Sequence, residues 1–366
     1  MSIKVLVISN YTDYHSTRPE AAIFKGLAKM GVEVHVMTYA HTAMAKELQE
    51  SGIRLVDFHP ERKFNRTEIR RIRSYITTHR IQILHLFNSP AIINGIRAAK
   101  GLPVKVVLYR GASSNIHWYD PTAYLKYLHP RVDKIMCNSL GVEEMIQRQI
   151  LWRRGRTITI NKGHQTSWYE GYEPYAIKEE LGLPKDAFLL VNVANNRKMK
   201  GIPILLNAMS FLPVDAPIHL LLIGRDMDDA ANMRIIEQSP NKDKIHLLGF
   251  RKNVLPIVAA CDVFVLPSIS TESITKSVIE AMSLEVAPII SDISGNKELV
   301  VDGKSGLIFP SKDEKALAVA IKRIFNDPKW HKQLAVNAKK HIQTNLNSKT
   351  TVLKVKKLYE SLVSHG

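Results

Sequence analysis

The sequence contains little cysteine and no long uninterrupted apolar run. Two cysteines in 366 residues are too few for the disulfide framework of a small secreted protein. Cys137 and Cys261 each lie in an apolar run, which favours buried, reduced thiols. No segment approaches 18 consecutive apolar residues, so no membrane-spanning helix is predicted. The strand-like run from residue 3 is too short for a signal peptide, and we therefore expect a cytoplasmic chain.

The sequence also has few acidic residues relative to its basic ones, and the imbalance is uneven. The net charge is +17. Residues 1–165 contain 25 Lys and Arg against 12 Asp and Glu, so this half alone carries +13. Such a field favours an anionic partner, which can be nucleic acid, a membrane surface or a substrate.

Two basic segments stand out in this half. Seven Lys and Arg lie between residues 62 and 80, where one predicted helical face carries Ile69, Ile72 and Ile76. Residues 146–156 place Trp152 beside three arginines, Arg153, Arg154 and Arg156. Basic amphipathic helices with tryptophan are typical of membrane-surface binding, although a solvated outer helix is the alternative for each segment. Stacking aromatics are not interleaved with the basic residues, so nucleic acid is not expected, and docking of the N-terminal domain onto anionic lipid is favoured.

Short apolar runs alternate with helical patterns along the chain. Seven strand-like runs precede residue 164, and six more lie between residues 187 and 310. Their β-branched, non-alternating composition is typical of strands that are buried on both faces of a parallel sheet. The predicted fold class is α/β, with two Rossmann-like doubly wound domains that face a central cleft. We expect an N-terminal domain over 1–165, a C-terminal domain over 166–346 and a last helix over 347–366.

Polar residues follow one strand of the second set in a suggestive pattern. After the run VFVLPS, a loop carries Glu272 and then enters a helix that carries Glu280. Ligands bind at the carboxyl ends of parallel strands, and helix N-termini attract phosphate. A carboxylate before the helix can accept hydrogen bonds from sugar hydroxyls, and one inside it can bind a ribose diol. The alternative is that both glutamates are solvated helix-start residues.

The segment Glu272–Glu280 resembles the glutamate, seven residues, glutamate motif of the retaining glycosyltransferases of family 4 (glycosyl transferases group 1), which have the GT-B fold. The family pattern continues in PIISDISGNKELVVDGKSGLIFP, and upstream in VNVANNRKMKGIPILLNA, HLLLIGRD and KIHLLGFRKNV. The N-terminal half matches less closely, through KVLVISN, ILHLFNSP, VDKIMCNS and INKG. The resemblance is therefore strongest in residues 186–310.

The resemblance implies roles for individual residues. Glu272 would bind hydroxyls of the transferred sugar, while Arg197 and Lys200 would neutralise the departing diphosphate; these three form the implied catalytic set. Further donor contacts would come from Glu280 at the ribose and from Gly224, Phe250, Arg251, Ser273, Ile274, Thr275, Lys276 and Ser277. The family generally works without a bound metal, because fixed positive charge stabilises the leaving group. Accordingly no metal and no cofactor is expected.

The chain also departs from the family pattern. Ser273, Ile274 and Thr275 replace a loop that often contains two glycines, and Lys276 adds a cation beside the sugar or phosphate. We expect Lys276 to mark an unusual donor. In the family, the phosphate-binding arginine usually follows a glycine at the strand end. The corresponding position here is occupied by Asn195, and Arg197 lies two residues later.

The acceptor side is less well defined. The glycine-rich first loop of the family is absent, and Arg18 stands near the expected mouth of the cleft. Arg110 occupies a strand end where many relatives have a histidine; an arginine cannot act as a base but can bind a carboxylate or phosphate. The acceptor-side candidates, for which a structural role is an equal alternative, are Arg18, Arg110, His117, Asn88 and His164.

The sequence thus predicts a retaining, metal-independent glycosyltransferase. Its donor would be a nucleotide-diphosphate sugar, and its acceptor a lipid-linked or cell-envelope glycan of lipopolysaccharide or polysaccharide synthesis. The expected location is cytoplasmic and peripheral, on the inner face of the membrane. Two alternatives share the fold: a sugar-nucleotide epimerase, and a non-catalytic protein that binds sugar or nucleic acid.

Overall fold

The chain forms two α/β units in a computed structural model that describes residues 2–112, 116–152, 155–270 and 272–364. The first unit comprises Met1–Gly163 together with Leu346–Gly366, and the second comprises His164–Asn345. The division after Gly163 falls two residues before the expected position. Arg153 and Arg154, which the sequence suggested as membrane-facing cations, lie outside the described residues.

The first unit is built on a parallel sheet. Its strands are β1 (Lys4–Ile8), β2 (Glu33–Thr38), β3 (Arg54–Asp57), β4 (Ile83–Leu86), β5 (Lys105–Arg110), β6 (Lys134–Cys137) and β7 (Thr157–Thr159). Their order in the sheet is β3-β2-β1-β4-β5-β6-β7, and every pair is parallel. This is the predicted doubly wound order, in which the chain starts in the middle and winds outwards in both directions.

Helices cover both faces of this sheet. They are α1 (Tyr14–Lys29), α2 (Ala43–Glu50), α3 (Arg66–His79), α4 (Ser89–Ala98) and α5 (Leu140–Gln149). Alternate strand residues feed two cores: Leu6 and Ile8 pack with α3, α4 and α5, whereas Val5 and Val7 pack with α1 and α2. Burial on both faces explains why the strands read as continuous apolar runs.

The second unit repeats the pattern. Its strands are β8 (Phe188–Val193), β9 (Ile218–Ile223), β10 (Ile245–Gly249), β11 (Val263–Leu266), β12 (Ala287–Ser291) and β13 (Leu307–Phe309). They form a parallel sheet in the order β10-β9-β8-β11-β12-β13. Its helices are α6 (Ile177–Glu180), α7 (Ile202–Met209), α8 (Ala230–Gln238), α9 (Leu255–Ala259), α10 (Lys276–Ser283), α11 (Ser294–Lys297), α12 (Glu314–Phe325) and α13 (Pro328–Asn345). The predicted fold class, two Rossmann-like α/β units, is confirmed.

The last helix, α14 (Ser348–Ser364), belongs to the first unit, where it packs on α1. Val352 approaches so closely that a Cβ on Gly26 would lie 2.5 Å from its Cγ2. Tyr359 is fully buried, and its hydroxyl lies 2.6 Å from His85 Nδ1 on β4. The first unit therefore needs the C-terminal helix to complete one of its two cores.

This assignment of α14 sharpens the charge asymmetry. With residues 346–366 included, the first unit contains 29 basic and 13 acidic residues, a net charge of +16. The second unit contains 22 basic and 21 acidic residues, a net charge of +1. In the part of the chain that the structure describes, no helix is long and apolar enough to span a membrane.

Candidate functional site

The carboxyl edge of the second sheet brings several loops together, because all its strands run in the same direction. Three glycines allow these loops to touch. A Cβ on Gly201 would lie 2.0 Å from the carbonyl oxygen of Pro267, and one on Gly295 would lie 2.3 Å from that of Glu272. Gly224, at φ +154°, fits against Ala194, whose carbonyl oxygen would be 1.7 Å from a Cβ. Side chains larger than hydrogen at these positions would push the loops apart.

Glu272 lies at the centre of this edge, in the loop between β11 and α10. Its Oε1 is 2.5 Å from Lys200 Nζ, and it also accepts a hydrogen bond of 3.0 Å from Ser268 Oγ. Its Oε2 lies 3.3 Å from Thr275 Oγ1. The carboxylate is therefore held on three sides with only 10% of its side chain exposed. The structure brings together Glu272 and Lys200, two of the three residues implied to be catalytic.

The N-terminus of α10 is open towards this carboxylate. Thr275 occupies the N-cap position, but its hydroxyl accepts no bond from the helix and instead contacts Glu272 Oε2 and, at 3.2 Å, Asn296 Oδ1. The first-turn N–H groups of a helix have no intrahelical acceptor. With the cap side chain turned away, the N–H groups around Lys276 and Ser277 can bind an anion.

The loop before α10 does not need the glycines of the family pattern. Ser273 and Thr275 are buried, Ile274 and Ser277 are half-buried, and none of the described residues of this loop has a positive φ. Because no left-handed conformation is required, the substitution of glycine by larger residues costs no backbone strain here.

Lys276 and Glu280 form a second ion pair, one turn apart on α10. Lys276 Nζ lies 2.5 Å from Glu280 Oε1, and 42% of the lysine side chain is exposed against 13% of the glutamate. The sequence assigned these residues to different parts of the donor without expecting a contact between them. The cation of Lys276 lies in the first turn of α10, where the positive end of the helix dipole disfavours it.

Arg197 stands apart from this cluster. Its side chain is exposed and makes no hydrogen bond or ion pair with the described residues, while its backbone begins a short 3-10 turn that leads to Lys200. Asn195 occupies the position at which family members usually have the phosphate-binding arginine. Its Oδ1 accepts a hydrogen bond of 3.1 Å from the backbone N–H of Arg225. The structure therefore leaves Arg197 free to reach a ligand but does not bring its side chain to Glu272.

Phe250 and Arg251 follow β10 on the same sheet edge. Phe250 is 62% exposed, and the guanidinium of Arg225 lies 5.0 Å from its ring centroid. Arg251 pairs with Glu180 at 2.6 Å, and hydrogen bonds from Tyr175 and Arg251 lower the pKa of the Glu180 carboxyl. Arg225 lies at this sheet edge but was not among the predicted site residues, although its position after Gly224 at a strand end was a usable signal.

A polar cavity of about 360 Å³ lies at the carboxyl edge of the first sheet. It is lined mainly by small polar side chains from the loops after β1 and β4 and from the first turn of α1, among them Asn10, Ser16, Thr17 and Asn88. Asn88, one of the acceptor-side candidates, accepts hydrogen bonds from the backbone N–H of Asn10 at 2.7 Å and from His59 Nε2 at 3.2 Å. It therefore joins two loops of the cavity as well as lining it.

An ion pair between Lys162 and Glu20 lies in the same cavity. Lys162 Nζ is 2.8 Å from Glu20 Oε2 and 4.2 Å from the ring centroid of Tyr109. Burial lowers the pKa of the ammonium, but the charges of Glu20 and Tyr109 outweigh this and raise it. Glu20 is 3% exposed, and its Oε1 has no partner among the described residues. The cavity lining thus includes a buried ion pair, one of whose carboxylate oxygens has no hydrogen-bond partner among the described residues.

The other acceptor-side candidates do not line this cavity. Arg18 lies near Glu47; burial raises the pKa of that carboxyl, but hydrogen bonds from Tyr14 and Lys25 and the charges of Lys25 and Arg18 outweigh this and lower it. Arg110 donates from Nε to the carbonyl of Ala112 at 2.7 Å and lies over the ring of Tyr127.

The two histidine candidates have different surroundings. His117 is exposed and stacks on Tyr119 with ring centroids 5.0 Å apart. His164 is buried in the second unit, where its Nδ1 lies 2.7 Å from Tyr169 Oη.

The basic segments of the first unit also differ from a simple membrane-binding helix. On α3, Ile72 and Ile76 are buried and Ile69 packs against the same core, so only the charged face points outwards. Arg73 donates from Nη1 to the carbonyls of Ala98 and Lys100. Arg156, expected to be a surface cation, is buried, and its Nη1 donates to the carbonyl of His129 at 3.0 Å.

Two family models match the chain, one in each half. Glycosyltransferase Family 4 matches residues 21–168, and Glycosyl transferases group 1 matches residues 175–341. Within the described residues, no group of three or more His, Cys, Asp or Glu is arranged to hold a metal ion. The chain belongs to the GT-B glycosyltransferases of family 4 and is a transferase of this class.

Similar individual proteins include a putative glycosyltransferase, EpsD, of Bacillus subtilis, with 24% identity over 93% of this chain and 92% of that protein. An N-acetylgalactosamine-N,N'-diacetylbacillosaminyl-diphospho-undecaprenol 4-alpha-N-acetylgalactosaminyltransferase of Campylobacter jejuni is 27% identical over 59% of this chain and 57% of that protein. The crystal structure of Anabaena Alr3699/HepE in complex with UDP superimposes with a TM-score of 0.76 at 18% identity, covering 99% of this chain and 100% of that one. The structural likeness establishes the GT-B fold.

Proposed function

We propose that the protein is a retaining, metal-independent glycosyltransferase that transfers a sugar from a UDP-sugar to a lipid-linked glycan of cell-envelope polysaccharide synthesis. The observation that carries the proposal is the convergence of Glu272, Lys200 and the open N-terminus of α10. A carboxylate that accepts hydrogen bonds from hydroxyls lies beside a cation and a set of N–H groups that bind phosphate. A nucleoside-diphosphate sugar presents these two kinds of group next to each other.

In this proposal the bond between the anomeric carbon and the diphosphate oxygen breaks while a bond to the acceptor oxygen forms on the same face of the sugar. The proton of the acceptor hydroxyl passes to the departing phosphate oxygen, so no side-chain base is required. Lys200, Arg197 and the N–H groups of α10 stabilise the charge that develops on the phosphate. Glu272 orients the sugar, and Glu280 binds the ribose.

UDP is the proposed nucleotide because a solved neighbour of the same fold was crystallised with UDP. Phe250, exposed and stacked under Arg225, offers an aromatic face at the strand end next to the phosphate site. A lipid-linked acceptor is proposed because the Campylobacter relative is named for a diphospho-undecaprenol substrate. The polar cavity with Glu20 and Lys162 is the proposed place for acceptor hydroxyls in the first unit.

The experiment is a donor panel. UDP-, GDP-, ADP- and CMP-sugars are incubated with the protein in the presence of EDTA, release of nucleotide is measured, and the anomeric configuration of the product is read by NMR. We expect turnover of a UDP-sugar that EDTA does not reduce, with retained configuration. Turnover of a different nucleotide, loss of activity with EDTA or an inverted product would each contradict the corresponding part of the proposal.

A further inference from the structure

A patch of large apolar side chains is exposed on the first unit. Trp118 is 51% exposed, Tyr119 65%, Leu151 48% and Trp152 71%. They come from two segments that touch, since the backbone N–H of Trp118 donates to Gln149 Oε1 at 3.1 Å. We call these four residues the aromatic patch. Large exposed apolar residues that cluster in this way mark surfaces that bind a partner.

An apolar groove of about 330 Å³ opens beside the patch. Its apolar lining is provided by Tyr124, Leu128, Pro130, Ile150, Leu151 and Trp152. Hydrogen bonds fix its walls: Tyr124 Oη donates to the carbonyl of Trp118 at 2.9 Å, and the buried guanidinium of Arg156 holds the carbonyl of His129. The groove is therefore part of the folded framework.

Charged residues of both signs lie close to the patch, within a unit that is basic as a whole. Arg148 is exposed and directly precedes Gln149, and Lys126 follows the turn that carries Tyr124. Burial lowers the pKa of Lys126, and the nearby charges of Lys63 and Arg110 lower it further. Three carboxylates, Asp120, Glu143 and Glu144, lie in the same segments. The unit as a whole nevertheless carries +16.

We infer that the aromatic patch docks the first unit onto an anionic lipid bilayer, with the indole and phenol rings at the headgroup level and lipid hydrocarbon in the groove. Tryptophan and tyrosine favour this position because an apolar ring and a polar N–H or O–H are both satisfied there. The positive field of the unit attracts the same surface that the rings then anchor. The inference goes beyond the transfer reaction, since docking does not depend on which sugar is moved.

The α3 segment has a different part in this arrangement. Its apolar face is already used in the protein core, so α3 has no apolar side chains to insert and contributes only charge. Charge without insertion gives binding that salt reverses, whereas buried rings give binding that persists when salt screens the surface. This difference separates the two segments in an experiment.

The test is sedimentation of the full chain with vesicles of equimolar phosphatidylglycerol and phosphatidylcholine, and with vesicles of phosphatidylcholine alone. We expect binding to the anionic vesicles and at least about tenfold weaker partitioning for Leu151→Ser/Trp152→Ser. The matched control is Phe211→Ser, which removes an aromatic ring that is 42% exposed in the second unit and is expected to bind as the wild type. Equal binding by the double variant would overturn the inference.

A second measurement locates the rings in the bilayer. Lipids brominated on the acyl chain are expected to quench tryptophan fluorescence of the wild type and to quench that of Trp152→Phe less. Absence of quenching, or a dimer in solution that Leu151→Ser/Trp152→Ser dissociates, would show that the patch has a different occupant. Hydrolysis of the UDP-sugar is measured on the same samples; its absence alongside retained vesicle binding would count against the proposed reaction and leave the docking intact.

Discussion

Lys200 and Glu272 lie 72 positions apart in the chain, yet Lys200 Nζ is 2.5 Å from Glu272 Oε1. The contact joins the loop after β8 to the loop after β11, which also meet where the backbone N–H of Ile269 donates to the carbonyl of Met199. The lysine therefore holds the carboxylate in place in addition to its proposed role at the phosphate. Two residues that depend on each other in this way are expected to act as a unit.

This coupling predicts non-additive kinetics. Lys200→Met and Glu272→Gln are each expected to lower kcat/KM by at least about 100-fold, because each removes a group at the reacting centre. The kcat/KM of the double variant is expected to lie within about threefold of that of the less active single variant. The reason is that the second change removes an interaction that the first change has already removed. A double variant whose loss is the product of the two single losses would show that the residues act independently.

Lys276 is predicted to matter for the donor and not for the fold. Its pairing with Glu280 contributes about 0.3–0.5 kcal/mol, and its position in the first turn of α10 costs a similar amount. Lys276→Gln is therefore expected to change the free energy of unfolding by less than about 0.5 kcal/mol. The donor KM is expected to rise about tenfold or more, as for the loss of one hydrogen bond to a charged group.

The control for Lys276 is Lys356→Gln on α14, which removes the lysine of a pair with Glu360 at the same spacing. That variant is expected to leave both the unfolding free energy and the donor KM unchanged. If Lys276→Gln instead unfolds more easily and keeps its donor KM, Lys276 has a structural role only.

The pair in the first unit predicts a large effect on stability. Lys162→Met leaves Glu20 buried without its partner, and breaking a buried pair in this way costs about 3–5 kcal/mol of unfolding free energy. Glu20→Gln/Lys162→Met removes both charges and is expected to recover most of that loss in urea denaturation. Lys25→Met, which breaks the half-exposed pair with Glu47, is the control and is expected to cost about 1 kcal/mol or less. Similar losses for Lys162→Met and Lys25→Met would contradict the assignment.

Buried histidine predicts loss of stability in acid. Burial, together with the charge of Lys162, lowers the pKa of His85 from 6.5 to about 3. Below pH 6.5 the unfolded chain takes up a proton at this position while the folded chain does not, so the unfolding free energy falls as the pH falls towards 3. For His85 alone the loss is about 2 kcal/mol between pH 8 and pH 5.

Other buried histidines act in the same direction, because burial also lowers the pKa of His35, His59 and His219. His85→Gln is therefore expected to reduce the acid loss without abolishing it, and His15→Gln, at an exposed position, serves as the control. Urea denaturation across this pH range measures both. An unchanged pH dependence in His85→Gln would contradict the burial argument.

The positions of the strands could be predicted directly from the sequence. The inner strands of both sheets lie in apolar runs, because strands buried on both faces must be apolar throughout, whereas the edge strand β3 is only half-buried. Helix α13 does not follow in this way: its buried residues, Leu334, Ala335, Ala338 and Ile342, are small or widely spaced among polar ones. The motif that ends in Glu280 was visible because a loop and a helix start are local features of the chain.

The contacts within the site follow less directly. The pairing of Lys200 with Glu272 depends on which strand ends are neighbours, which a linear pattern does not specify. Arg156 illustrates the same difficulty, since a run of arginines resembles a surface cluster until one of them is found donating to a buried carbonyl. Glu20 and Lys162 lie 142 positions apart and have no shared motif, so the ion pair in the polar cavity was not predicted.

The most direct test of the donor site is UDP-sugar turnover by Glu272→Gln beside Glu285→Gln. Glu285 also pairs with a lysine, Lys339 at 2.9 Å, but lies away from the carboxyl edge of the sheet and is half-exposed. We predict that Glu272→Gln folds normally and loses at least about 100-fold in kcat, while Glu285→Gln turns over like the wild type. Undiminished turnover by a folded Glu272→Gln would contradict the assignment of the donor site.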